Sequence, residues 1–380
     1  MRYKLGEIIE FNPKESISKG ILARKIAMEN LQPFQRKIDG FTFENFKSGT
    51  KFRNNDTLMA RITPCLENGK TAYVNILEEN EVAFGSTEYF VLRAKANILD
   101  SKYLYYLSIS NEVRETVIKS MTGTSGRQRA QKESILEFEI DLPSLDKQKK
   151  IASILDSFDT KIELNKQIND NLLELAQSHF EHLIIDGSLN EAKSLLSDIA
   201  LINPLRKLSK GQEATYVEMK NLPTTSSFPL GWEKKIFAGG MKFTNGDTIL
   251  ARITPCLENG KAAYIDFLEK EEIAFGSTEY IVLSSKFNDC NEMLYFLARY
   301  SDFVNYAVGN MNGSSGRQRV AGEIIGKYEL NIPSFQIIEE FNKIAKPVMA
   351  QVRENSFEIR NLIFLRDSLL PKLLSGEILI

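Results

Sequence analysis

The sequence predicts an α+β fold in which two globular mixed α/β domains are separated by a pair of long antiparallel helices, arranged as a pseudo-two-fold internal repeat. Three observations predict it. A duplication runs through the chain, the first part of each copy mixes short strand and helix patterns, and each copy ends in a long amphipathic run. The 380 residues also exceed what one hydrophobic core usually organises.

The duplication governs everything else. Arg61-Ile62-Thr63-Pro64-Cys65-Leu66-Glu67-Asn68-Gly69-Lys70 recurs unchanged as Arg252 to Lys261, and Phe84-Gly85-Ser86-Thr87-Glu88-Tyr89 recurs as Phe275 to Tyr280, both at an offset of 191. Asn12-Pro13 matches Asn203-Pro204 at the same offset, whereas Ser125-Gly126-Arg127-Gln128-Arg129 matches Ser315 to Arg319, and Leu142-Pro143-Ser144 matches Ile332-Pro333-Ser334, at 190. A repeat of this length holds a whole domain, so the boundaries fall at 1–144 for the first domain, 145–186 for a first long helix, 187–334 for the second domain and 335–380 for a second long helix.

Within the first domain, Arg61 to Leu66 and Thr71 to Ile76 read as a hairpin closed by Asn68-Gly69, because that pair supplies the positive φ angles a two-residue turn requires. Pro64 then places the first of these strands at a sheet edge or a bulge. Val82 to Phe84 and Tyr89 to Leu92 are further strands, and Tyr103, Leu104, Leu107, Val113 and Val117 give Ser101 to Lys119 a helical spacing.

After Pro143 the period changes. Ile151, Ile154, Leu155, Phe158, Ile162, Ile168, Leu172, Leu175 and Leu183 recur at three- and four-residue steps, with no Pro or Gly before Gly187. A helix of that extent is roughly 60 Å long at about 1.5 Å per residue. The second copy repeats it from Phe335 to about Ser375 through Phe341, Ile344, Ala345, Val348, Val352, Ile359, Leu362, Leu365, Leu369 and Leu373, with Pro371 expected to kink or end it. Neither helix is stable alone, and each is the economical partner of the other. Asn165 and Asn355 occupy equivalent places on or beside the two seams and are expected to fix register by approaching each other.

Composition excludes several function classes. The chain is 43% hydrophobic and 26% charged, as soluble globular chains are, and no apolar stretch reaches the length of a membrane span. The N-terminus carries no export signal, which points to the cytoplasm. Three cysteines do not make a disulfide framework and read as packing residues. His179 and His182 lie three apart with only Glu181 beside them, too little for a metal site. Glu67-Asn68-Gly69-Lys70 lacks the first glycine and the hydroxyl residue of a nucleotide-binding loop, and Asn12-Pro13 and Asn203-Pro204 lack the second proline and aromatic of an adenine-methyltransferase loop. No catalytic constellation follows, and the chain reads as non-enzymatic.

Recognition remains. Thr122 to Lys132 is a hydroxyl-rich, locally basic loop, and Met311 to Arg319 repeats its character. Ser125, Arg127, Gln128 and Arg129, with Ser315, Arg317, Gln318 and Arg319, are of the types that bind phosphate oxygens and base edges. Arg61, Thr63 and Lys70, with Arg252, Thr254 and Lys261, are divided between scaffold and contact, and Glu67 could accept from a cytosine amino group. The same division applies to Ser86-Thr87-Glu88-Tyr89, in which Ser86 and Thr87, with Ser277 and Thr278, are the candidate contacts. A net charge of -2 does not announce a nucleic-acid binder, although a basic loop can sit on a chain that is acidic elsewhere. Two alternatives stay open, an assembly scaffold whose duplicated domains bind protein or RNA, and a methyltransferase fragment that its missing motifs disfavour.

The whole pattern resembles the specificity subunits of type I restriction-modification systems. The likeness rests on the duplicated decapeptide, the Leu/Ile-Pro-Ser boundary before each helix, Ile151-Ala152-Ser153-Ile154-Leu155 with Asn165-Lys166-Gln167-Ile168, and Leu370-Pro371-Lys372-Leu373-Leu374-Ser375-Gly376-Glu377-Ile378. The resemblance implies that each domain is a target-recognition domain reading one half of a split double-stranded DNA site, while the helices set the spacing and dock two methyltransferase subunits. It implies no cofactor in this chain, with S-adenosylmethionine, ATP and Mg used by methyltransferase and restriction subunits. Close similarity of the two copies further implies similar half-sites on opposite strands. The stretches 32–50 and 223–242, where the copies diverge, are expected to carry different contacts.

Overall fold

Tyr89, Phe90, Val91 and Leu92 are buried in succession, a pattern a strand adopts only when both of its faces are covered. The computed structural model, which describes residues 2–189, 191–287, 290–314, 316–378 and 380, shows what covers them. Tyr89–Ala94 lies inside a four-stranded antiparallel sheet ordered Ile9–Phe11, Tyr89–Ala94, Thr57–Ala60, Thr71–Tyr73. Met59, Phe90 and Leu92 point to a core shared with the helix Ser101–Ile109. Leu58, Tyr89 and Val91 point the other way, onto Ile26, Phe52 and Ala83 of a second sheet. That sheet runs Thr42–Asn45, Leu22–Ile26, Ala83–Gly85, Thr50–Phe52, with its two central strands parallel. A two-stranded pairing of Arg2–Lys4 with Glu139–Asp141 closes the domain just before the first long helix.

The second copy repeats all three sheets in the same order. Its strands follow at 191 residues as far as Tyr280–Ser285, and the offset falls to 190 at the helix Asn291–Arg299, the counterpart of Ser101–Ile109.

Two local expectations are corrected. Arg61 to Leu66 is not a strand, because the sheet strand ends at Ala60 and resumes at Thr71. The decapeptide between them closes on itself in turns, with Leu66 N donating to Ile62 O at 3.0 Å, Asn68 N to Pro64 O at 2.9 Å and Lys70 N to Cys65 O at 3.0 Å. Of the Asn-Gly pair only Gly69 takes positive φ, at 72°, so the tight turn that needs both residues there does not form. A Cβ on Gly69 would also meet the Phe34 ring at 2.6 Å. Likewise Ser101 to Lys119 is two helices, Ser101–Ile109 and Asn111–Lys119, because Ser110 is extended and its hydroxyl accepts from Val113 N to cap the second.

The first long helix runs Leu145–His179 and continues as a wider turn over Phe180–Asp186; the second runs Phe335–Ser375, past Pro371 by four residues rather than ending there. Among the described residues no helix is long and apolar enough to cross a membrane. The chain divides into two compact units, Met1–Glu163 with Arg360–Ile380, and Leu164–Ile359, so each unit holds one domain and part of each long helix.

In the second unit Leu173, Ala176, Phe180 and Ile184 share one core with Phe341, Ala345, Val348, Val352 and the helix Asn291–Arg299. The helices run antiparallel there, since Asn165 Nδ2 donates to Glu358 Oε2 and Asn355 Nδ2 to Asn169 Oδ1, both at 2.7 Å. The amide partner of Asn355 is therefore Asn169, about one turn along from Asn165. The seam also excludes some expected members, for Ile168 and Leu175 are 45% and 50% exposed.

In the first unit the seam is ionic. Arg366 Nη1 donates to Asp159 Oδ1 at 2.6 Å and Tyr106 OH to Asp159 Oδ2 at 2.7 Å, and the two charged residues are 5% and 3% exposed. The equivalent positions in the second unit hold Ala176, Met349 and Phe296, all buried and apolar. Removing one partner of such a pair leaves an uncompensated buried charge. Arg366→Ala is expected to lower stability by about 3 to 5 kcal/mol in chemical denaturation. The triple exchange Tyr106→Phe, Asp159→Met, Arg366→Ala should recover more than half of that loss; a triple variant no more stable than the single one refutes this account.

Candidate functional site

Three segments far apart in sequence meet at one end of each domain. Thr122 and Arg129 exchange both main-chain hydrogen bonds, at 3.0 and 2.9 Å, and so pinch off the loop 123–128. The decapeptide holds that loop from one side. Thr63 N donates to Gln128 O at 3.0 Å, Gln128 N donates back to Thr63 Oγ1 at 2.9 Å, and Ala130 N donates to Arg61 O at 2.8 Å. The Ser86-Thr87-Glu88 turn is tied to the decapeptide in turn, with Arg61 N donating to Glu88 O at 3.0 Å.

A bidentate ion pair locks the assembly. Arg129 Nε lies 3.0 Å from both Glu88 carboxylate oxygens and Nη2 lies 2.7 Å from Oε1, with Arg61 Nε 3.5 Å from Oε2. The Arg129 hydrogen bond holds the Glu88 carboxyl below the usual carboxylate range, against burial that raises it, with further help from Arg61. The second domain repeats this closely. Thr254 N reaches Gln318 O at 3.1 Å, Val320 N reaches Arg252 O at 3.0 Å, and Arg319 Nη2 reaches Glu279 Oε1 at 2.7 Å. Glu279 is lowered first by Arg319, and then by Arg252.

The geometry sorts the residues that sequence grouped together. Arg129 and Arg319 are latches. Lys70 and Lys261 are spent on the main chain, donating to Met28 O at 2.8 Å and Met219 O at 3.0 Å. Ser86 and Ser277 accept from Glu88 N and Glu279 N, both at 3.1 Å, and shape their turns. Thr63 and Thr254 hold the loops, and Arg61 and Arg252 are half-buried beside the glutamates. Asn12 and Asn203, with φ of 47° and 54°, clip the sheet edge by accepting from Val91 N and Val282 N.

Outward-facing groups are fewer. Thr87, Ser125, Gly126 and Arg127 are exposed, as are Thr278, Gly316 and Arg317; Gln128 and Gln318 are half-buried, and Glu67 is exposed. The guanidinium groups of Arg127 and Arg317 meet no hydrogen-bond or ion-pair partner among the described residues. Ser315 lies outside the described residues. Each loop thus presents one unspent arginine on a main chain clamped at both sides, a pattern suited to a polyanion or to a planar acceptor edge.

Sequence reasoning did not single out Glu88 and Glu279 as latches, nor the exposed strand within the divergent stretch 32–50. The edge strand Thr42–Asn45 is exposed along its length, Phe43 is 58% exposed, and the Arg24 guanidinium stacks over Phe41 at 4.5 Å. Its counterpart Glu233–Ile236 is equally exposed but carries lysines, with Lys235 Nζ 4.4 Å above Tyr216. The only sequence signal was that these strands fall where the two copies diverge.

Comparison with known proteins gives a consistent picture. Residues 1–174 match the family described as the type I restriction modification DNA specificity domain. Over 407 aligned residues the chain is 25% identical to the type I restriction enzyme HindI specificity subunit of Haemophilus influenzae, spanning 86% of this chain and 87% of that protein. It is also 25% identical to the MjaIX specificity subunit of Methanocaldococcus jannaschii, spanning 73% and 69%. In fold it resembles the crystal structure of a type-I restriction-modification system S subunit from M. genitalium, with a TM-score of 0.58 at 16% identity, over 98% of this chain and 96% of that one.

The latch is expected to titrate as an acid held ionised. Because the Glu88 pKa is lowered on folding, its contribution is complete above the ordinary carboxylate value of about 4.3 and is lost only as pH falls through the lower folded value. A carboxyl-carbon NMR titration should place the Glu88 midpoint below about 4.3, and Arg129→Ala should bring it back up. An unchanged midpoint in that variant refutes the latch.

Proposed function

We infer that this chain, which belongs to the specificity subunits of type I restriction-modification systems, reads one half of a bipartite DNA site with each of its two recognition domains. The observation that carries this reading is the paired loop, twice built on the same clamp and twice presenting a free arginine. Arginine reaches guanine O6 and N7 bidentately in the major groove, and a glycine beside it lets the main chain approach a phosphate. An overall charge near neutrality is compatible with this, because a locally basic loop can sit on a chain that is acidic elsewhere.

The long helices serve as spacer and as the docking site for two methyltransferase subunits. What supports docking is a second apolar stripe left outside the seam, in which Leu164, Ile168 and Leu175 are 51%, 45% and 50% exposed. S-adenosylmethionine belongs to those partners, which methylate adenine, and ATP and Mg belong to restriction subunits that translocate and cut. The chain itself supplies recognition and not catalysis.

Reconstitution with methyltransferase subunits, followed by mapping of methylated adenines, tests this reading. The expected result is a split site whose halves resemble one another. Arg127→Ala should relax one half-site and Arg317→Ala the other, each costing about 1 to 3 kcal/mol of discrimination at one position. Equal loss over all sequences would assign both arginines to phosphate, and methylation without any sequence preference would sink the proposal. Leu164→Asp with Ile168→Asp should reduce the number of methyltransferase subunits bound, seen by sedimentation, while leaving the unfolding temperature unchanged.

A further inference from the structure

Each domain rests on a long helix, and three charged positions at the two seats, Lys102, Asp156 and Glu163, carry the opposite charge at their equivalents. In the first unit Arg36, only 8% exposed, contacts Asp156 and forks onto Glu163, with Nη2 to Oε2 at 2.8 Å and Nε to Oε1 at 3.1 Å. Lys102 Nζ lies 2.7 Å from Asp156 Oδ2. The domain therefore brings cations and the helix brings carboxylates.

At the repeat offset of 190, Asp156 and Glu163 become Lys346 and Arg353, and Lys102 becomes Glu292. Arg36 becomes Ser227 and Asn75 becomes Asp266, at 191. Here the domain brings carboxyls and the helix brings cations. Arg353 Nε donates to the main-chain oxygen of Asp266 at 2.7 Å, and Glu292, 9% exposed, accepts from Tyr264 OH at 3.0 Å. Burial raises the Asp266 carboxyl to about 7, while the Arg353 guanidinium first and a main-chain hydrogen bond second favour its charged form.

Apolar packing at the seats differs in the same sense. Phe228, Trp232, Phe267 and Phe357 form one aromatic cluster between the second domain and its helix, with Trp232 stacked on Phe267 at 4.0 Å and Phe228 5.3 Å from Phe357. The first unit has the buried Tyr106, Asp159 and Arg366 where the second has Phe296, Met349 and Ala176.

We propose that Arg36, Lys102, Asp156 and Glu163 on one side, and Asp266, Glu292, Lys346 and Arg353 on the other, key each domain to its own helix. A first domain seated on the second helix would set Lys102 against Lys346 and Arg36 against Arg353, like charges in partly dry surroundings. The second domain on the first helix would set Glu292 against Asp156. Two domains of the same topology, sharing an identical decapeptide, are thereby prevented from exchanging places. Each domain is held to its own helix by charge as well as by chain connection. This inference is independent of what the domains bind.

Charge replacement in the full chain tests it. The variant Asp156→Lys with Glu163→Arg gives the first helix the second helix's residues, and its thermal unfolding midpoint is expected to fall by roughly 5 °C or more. Adding Arg36→Ser and Lys102→Glu, which converts the domain to match, should restore at least half of the fall. Recovery on matching supports the key even if the first variant does not fold. An unshifted midpoint in the first variant, or a fourfold variant no more stable than the twofold one, overturns it.

Discussion

Everything in this chain depends on hiding the apolar stripe of two helices that water alone would not keep helical. Each compact unit solves this by a three-way contact among parts of both long helices and one short domain helix, Ser101–Ile109 or Asn291–Arg299. The domain is thus part of the wall that keeps the helices folded, not an ornament on a free-standing coiled coil. Polar groups inside the seam then restrict how the wall can be assembled. An amide pair such as Asn169 with Asn355 is satisfied in one register only, because a slip of one residue turns each side chain by about 100° and strands it among apolar neighbours.

How much of this could be read from sequence follows from the range of the interactions involved. The repeat and the long helices were legible, because identity and a three-to-four-residue period are local. Strands such as Tyr89–Ala94 were legible as strands, but the reason they do not alternate is a second sheet that no local pattern announces. The decapeptide was misread as a strand because Asn68-Gly69 carries the signature of a tight turn. Its actual shape is set by hydrogen bonds from Leu66 to Ile62 and Lys70 to Cys65, and by the Phe34 ring over Gly69. Ser110 broke a helix that periodicity ran straight through, since one capping hydroxyl outweighs a pattern that both flanking segments satisfy.

The candidate site shows the same limit more sharply. Arg127 and Arg129 are two residues apart and of one type, so nothing local tells the latch from the free group. Glu88, 41 residues away, decides it by claiming Arg129 alone. The same glutamate gives a reason for duplicating Ser86-Thr87-Glu88-Tyr89 whole: the turn must deliver its carboxylate to the Arg129 guanidinium, with that of Arg61 beside it, and its main-chain oxygen to Arg61 N. Exact duplication in this chain therefore covers the clamp together with the loop arginine it presents, while the exposed positions that differ, Thr42 to Asn45 against Glu233 to Ile236, lie on edge strands.

The two units bear on why an ionic seam is kept at all. Phe296, Met349 and Ala176 fill the positions of Tyr106, Asp159 and Arg366 with no buried charge, so the fold does not require one there. Buried ion pairs are commonly no better for stability than apolar residues of similar volume, given the desolvation of both partners. What the ionic version adds is intolerance of substitution by the other unit's surface: a phenylalanine in place of Tyr106 leaves an Asp159 oxygen unmet, and a methionine in place of Asp159 leaves Arg366 without its buried carboxylate, with only the exposed Asp367 to pair it. An ionic triad in one seam and an apolar triad at the equivalent place in the other are thus mutually incompatible in a way that two apolar triads would not be. Duplication creates two near-equal domains, and it is their unlike seats that make the equality harmless.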